Sequence, residues 1–245
     1  MIKSVYFTLF FLLLCSKLWA QDPPAWGGGA DINDISFGFH FDYITSNYKI
    51  VKQPTWLQPY YYDQTGKYLT DSVKSITSPN ATGFAVGFIA RYRITDHLEV
   101  RTTPSLTFAD RYVYFQYNTS TQDVTKSLHA SLVEVPLLIK IKSDRLQNFR
   151  GYLIGGAKYS YGLSADKQND DPSLSPLEKQ ILSKRGYASY EVGVGCDIYF
   201  EYFKLSPELK ISNSFGNVLV PEAQPYSSPI SKLFLHTLMI NLYFE

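Results

Sequence analysis

Between Ala188 and Ser212 the chain reads ASYEVGVGCDIYFEYFKLSPELKIS, and its apolar side chains fall on alternate positions. Ala188, Tyr190, Val192, Val194, Cys196, Ile198 and Phe200 alternate with Ser189, Glu191, Gly193, Gly195, Asp197 and Tyr199. After Glu201 and Tyr202 the pattern resumes, with Phe203, Leu205, Pro207, Leu209 and Ile211 set against Lys204, Ser206, Glu208, Lys210 and Ser212. A strand sends successive side chains to opposite faces, so period two marks strands, and two such runs joined by a short break mark a hairpin. One face is apolar and the other charged, polar or small. In water such a sheet covers a core. In a bilayer it is a barrel wall with lipid outside and a polar lumen inside.

The same period recurs along the chain. Strands are expected from about Ile35 to Tyr43, Gly83 to Ile94, Leu98 to Phe108, Val133 to Lys142 (with Leu138 out of step), Gly151 to Leu163, and Phe234 to Phe244, besides the hairpin. Between them, long connections are expected at Val51 to Asn80, Asn118 to Ala130, Ser164 to Gly186 and Asn213 to Lys232. Ser175-Pro176-Leu177-Glu178 carries a helix N-terminus signature, which predicts a short loop helix to about Ser183. Long and short connections alternate, and every short one follows an even-numbered strand. An eight-stranded antiparallel up-and-down transmembrane β-barrel gives this layout, with both termini in the periplasm beside the short turns. Runs of roughly 9–11 residues suffice for each crossing.

The charges indicate what fills the lumen. Arg91, Arg93, Glu99, Arg101, Glu134, Lys140, Lys142, Glu191, Asp197, Lys204, Glu208 and Lys210 lie on the polar faces, with both signs represented. The lumen of a barrel this narrow is packed with side chains, and buried charges need partners, so an ion-paired plug is expected and not an open pore. Phe84, Tyr92, Phe200, Phe203, Phe234 and Phe244, near strand ends, suit an aromatic girdle. Aromatic residues make up 16% of the chain, which favours such a wall.

The amino terminus has the layout of a secretory signal: Lys3, an apolar run from Val5 to Leu14, and Leu18-Trp19-Ala20 before Gln21, with cleavage expected after Ala20. A lipoprotein signal ending at Cys15 fits less well, because Leu14 stands where a small residue is usual. Gln21 to Asp31 is a Pro- and Gly-rich lead-in, and the barrel domain is expected over 34–245. Cleavage leaves Cys196 alone, on an apolar face, as a small hydrophobe. Among the four histidines, His40, His97, His129 and His236, none has metal-ligand spacing; His97 and His129 read as solvated turn and loop residues. His40 and Asp42 share a strand face and could serve a serine in a lipid-modifying enzyme, but no nucleophile motif accompanies them. Trp56, Tyr60, Tyr61 and Tyr62 form a candidate loop contact surface, or else pack over the barrel mouth. With a net charge of +1 and no phosphate-cradling loop, neither cofactor, nucleic acid nor small-molecule substrate is expected, and membrane lipid is the expected neighbour.

Four stretches resemble one family: VEVPLLIKIKS (Val133 to Ser143), RGYLIGGAKYSYGLS (Arg150 to Ser164), EVGVGCDIYFEYFKLSPELKIS (Glu191 to Ser212) and HTLMINLYFE (His236 to Glu245). They are similar to the PorT family of Bacteroidota outer-membrane proteins. The resemblance implies a non-enzymatic barrel needed by the type IX secretion system, with other components of that system as partners. In gliding members the same machinery carries motility adhesins. It brings no catalytic residue onto this chain. A small-molecule transport barrel and an outer-membrane lipid-modifying enzyme remain the alternatives from the residues alone.

Overall fold

The computed structural model describes residues 31, 33–163 and 175–245. The expected signal peptide, and the stretch of the third long loop from 164 to 174, lie outside the described residues. The strands are β1 (Ile35–Lys52), β2 (Tyr61–Tyr62), β3 (Lys67–Tyr68), β4 (Val73–Thr77), β5 (Ala81–Arg93), β6 (Leu98–Thr102), β7 (Ser105–Tyr117), β8 (Val124–Lys142), β9 (Phe149–Gly162), β10 (Gly186–Tyr199), β11 (Lys204–Ser214) and β12 (Ile230–Phe244). Every pairing is antiparallel, and the ring closes because β1 pairs with both β12 and β5. Eight wall positions result: β1, β4 with β5, β6 with β7, β8, β9, β10, β11 and β12. The β2–β3 pair stands apart as a small hairpin in the first long loop.

Alternation sorts the side chains as the sequence implies. Phe37, Phe41, Phe88, Leu137, Val194 and Ile240 point outward and are exposed, while Glu99, Arg101, Asp197 and Asn241 are buried inside. Burying charge and exposing phenylalanine is costly in water. It is the stable arrangement when the outer solvent is hydrocarbon. Phe200 stacks on Phe203 with centroids 4.7 Å apart, and Phe39 on Phe244 at 5.1 Å, so aromatic rings gather at the end that carries the short turns.

Several boundaries differ from the sequence expectation, each for a packing reason. Strand β1 runs on to Lys52 and β7 to Tyr117, because Tyr48, Val113, Phe115 and Tyr117 bury themselves inside the wall beyond the apolar belt. The loop expected at 118–130 shrinks to 118–123: Val124 to Ala130 pair with β7, so His129 lies in a strand and not in a loop. Strand β8 has 19 residues, about 65 Å of extended chain and about 45 Å of height at a ~45° tilt, well past the bilayer core. The wall of the third expected strand is interrupted at Thr103-Pro104, where proline can donate no ladder bond and Phe88 N–H instead reaches Pro104 O at 3.0 Å. Leu138 is not out of step: it points inward and packs with Tyr152 and Ile154. The expected helix after Ser175 does not form. Glu178 does accept the Ser175 N–H at 3.1 Å, as a cap would, but the chain then drops Ile181 into the interior and pairs Ser183 with Leu219.

Candidate functional site: the barrel interior

The interior has two tiers of opposite character. At the turn end, β5, β6, β8, β10 and β11 point their charged residues at one another. Arg91 Nε donates to Glu245 Oε2 at 2.6 Å, and its other nitrogens lie 3.4 Å from Glu99 and 3.3 Å from Asp31. Lys142 reaches Glu99 at 3.1 Å, and Lys140 reaches Asp197 at 2.8 Å, with Ser206 donating to the same Asp197 oxygen at 2.6 Å. Lys204 joins Glu245 at 2.9 Å and Asp31 at 3.6 Å, and Tyr199 Oη donates to Asp31 at 2.5 Å. The last described residue of the lead-in and the residue after β12 thus both fold over this mouth.

Above that layer Arg101 pairs with Glu208 inside a cage of rings. Its guanidinium lies 4.3 Å from the Tyr243 ring centre, and Tyr152 Oη donates to Glu208 at 2.9 Å. Gly195 makes room for Tyr152, since a Cβ there would stand 2.5 Å from its ring. Higher still, Lys158 bridges Glu134 and Glu191 at 3.0 Å each, Glu134 also accepts bonds from Thr107 and Ser160, and Lys210 lies 3.4 Å from Glu191. Each carboxylate therefore faces at least one cation, which is what keeps charge tolerable away from water.

At the loop end the interior turns apolar. Tyr48, Val73, Ile76, Val113, Phe115, Leu128, Leu233 and Leu235 from the walls meet Ile181, Val218, Leu219 and Tyr226 from the long loops. Lys184 N–H to Val218 O at 2.7 Å and Val220 N–H to Leu182 O at 3.0 Å pin the two loops together inside the mouth. The loops act as a stopper with its own hydrophobic core. Arg111 sits where the tiers meet, and Lys126 lies a step further into the apolar tier, opposite Val113, donating to Leu177 O at 3.0 Å and lying 4.1 Å from the Tyr226 ring centre.

Of the residues singled out from the sequence, all the lumen charges except Arg93 are buried in these layers. Arg93 is corrected to the rim, where it pairs with the exposed Asp34 at 2.9 Å, because β5 ends there and the lumen has opened to water. Sequence reading passed over Lys158, Asp31 and Glu245. Lys158 could have been found: Tyr152, Ile154, Gly156, Lys158 and Ser160 keep period two through the glycines. The expected aromatic contact surface is divided. Trp56 packs against the loop-end core under Lys52 Nζ, 3.8 Å from its ring centre, whereas Tyr60 and Tyr61 line a hollow of about 170 Å³ with Pro225 and Pro229. His40 is buried with Nδ1 2.9 Å from Asp42; its Nε2 has no hydrogen-bond partner among the described residues, and His40 and Ser105 both border Gly87. Outside the wall, Asp144 is held below the usual carboxylate range by its hydrogen bond to His97, and Asp71 by the Ser72 N–H and Thr119 Oγ1.

A closed antiparallel ring with an apolar outside and an ion-paired inside defines an outer-membrane β-barrel. The chain belongs to the outer membrane protein β-barrel domain family, whose sequence profile matches residues 19–220. Among curated proteins, none is detectably similar in sequence. Solved structures with a similar chain path include the outer membrane protein OprG from Pseudomonas aeruginosa, at 14% identity over 86% of this chain and 93% of that one, TM-score 0.43. AlkL, determined in DMPC lipid bilayers, is similar at 14% identity over 92% and 96%, TM-score 0.42. Ail, the attachment invasion locus protein of Yersinia pestis, is similar at 13% over 85% and 96%, TM-score 0.36.

Proposed function

We propose that this barrel is a sealed, non-enzymatic component of an outer-membrane protein-export machine of the type IX kind, with its long loops outside the cell and both termini in the periplasm. The observation that carries the non-transport part is the double closure of the lumen, by ion pairs at one end and by a hydrophobic stopper at the other. A barrel filled this way offers partners its rims, loops and outer wall, and offers solutes no path. The link to secretion is supported by the resemblance of the four stretches around β8, β9, the β10–β11 hairpin and β12 to the PorT family.

Two experiments test the parts separately. Deleting the gene is expected to leave cargo proteins with carboxy-terminal sorting domains in the periplasm; normal export in the deletion strain would refute the secretion role. Vesicles containing the purified barrel are expected to show no faster swelling in neutral sugars than empty vesicles. Swelling at the rate of an open porin would overturn the sealed lumen.

A further inference from the structure

We propose that the outer wall at the loop end of the β1–β12 pair binds the phosphorylated headgroup of a membrane lipid, with Lys49 and Lys232 supplying the cations. The inference rests on the outer-membrane reading and not on the export role.

Register sets the geometry. Lys49 faces Phe234 and Val51 faces Lys232, so the two lysines are diagonal neighbours on one face, about 7–8 Å apart at the backbone. Tyr48 and Leu233, their neighbours in the chain, point inward and are buried, which places both ammonium groups outside the barrel. Neither lysine is paired with a carboxylate among the described residues. That contrasts with the interior, where the cations of the turn-end layers lie against carboxylates.

The wall below them grades from water-like to hydrocarbon-like. One step down are Asn47, bonded to Asn80 at 2.6 Å, and His236, bonded to Asn213 at 2.6 Å, the two facing each other across β1 and β12. Next come Thr45 and Leu238, then Tyr43 and Ile240, and then the phenylalanines of β1. Amide and imidazole groups directly above an apolar belt mark the level of the headgroups, and the lysines stand about 7 Å above it at ~3.4 Å per residue. An anion carrying an acyl tail satisfies both parts at once. The tail has a place to lie directly below, along the exposed outer faces of Leu238, Tyr43 and Ile240 on the same strand pair. Free phosphate would gain the cations only.

The test uses the folded protein in detergent and native mass spectrometry with three probes: phosphatidic acid, phosphatidylcholine with the same chains, and inorganic phosphate. Wild type is expected to retain phosphatidic acid in preference to the other two. Lys49→Gln or Lys232→Gln is expected to weaken that retention about fivefold each and about thirtyfold together, with phosphatidylcholine unaffected. Equal retention of phosphatidic acid by wild type and the double variant overturns the site. Inorganic phosphate binding as tightly as phosphatidic acid overturns its assignment to a lipid. A gel-shift check on unheated samples separates these results from failure of the barrel itself: wild type lacking the faster folded band would refute the membrane reading on which the site depends.

Discussion

A Lys158→Met barrel will unfold about 3–5 kcal/mol more easily than wild type, read as a lowered urea midpoint in lipid vesicles by gel shift and tryptophan fluorescence. Lys158 is the single cation between Glu134 and Glu191, 3.0 Å from each, and all three side chains are buried. Methionine keeps the volume and removes the charge. Glu191 retains Lys210, but Glu134 keeps, among the described residues, only the hydroxyls of Thr107 and Ser160 as hydrogen-bond donors, with Arg111 as a more distant cation. The loss is expected because an unpaired buried charge costs far more than the pair contributes. Glu134→Gln in the same chain should recover a large part of it, and a double-mutant cycle gives the coupling. A Lys158→Met protein as stable as wild type would mean that water, not protein, surrounds this position.

Val194→Arg is expected to cost about 2–4 kcal/mol and to slow insertion, measured by the same gel shift after refolding into vesicles. Val194 is 52% exposed on the outer face of β10, paired with Leu209 and Leu153, which are also exposed. Guanidinium there has only hydrocarbon around it. One residue along, the side chain would point into the lumen, where Arg101 and Lys210 already sit. Arginine tolerated at 194 without cost would reverse the two faces of the wall.

Those faces were legible in the sequence because a transmembrane strand has two solvents and period two reports both. Alternation put Glu191, Asp197, Lys204, Glu208 and Lys210 on one face, and the mixed charges together with the aromatic residues near strand ends turned that face to the lumen. The ends of the strands were not legible in the same way. Past the apolar belt the outer face meets water, so polar residues appear on both sides and period two fades, as in Val124 to Ala130. What keeps that stretch a strand is its pairing with β7 and the loop-end core, and both are long-range contacts. The missing helix at 175–183 follows the same logic: a local cap signal lost to the burial of Ile181 and the pairing with Leu219. Asp31 and Glu245 lie outside the alternating runs, and their roles come from where the closed ring brings them.

The meeting of Arg91 with Glu245 also bears on how the ring is fastened. Arg91 belongs to β5 and faces Ser36, while Glu245 follows β12, whose Phe244 faces Phe39; β1 runs between them. Gly38 leaves the gap, since a Cβ there would lie 2.0 Å from Phe244 O. The first strand is therefore held by two ladders of backbone hydrogen bonds and is also bridged from behind by an ion pair joining its neighbours. Prising the wall open on either side of β1 means parting opposite charges as well as unzipping a ladder, so the seam that joins the first strand to the last is doubly locked, as β9 is where Lys140 of β8 meets Asp197 of β10 behind it.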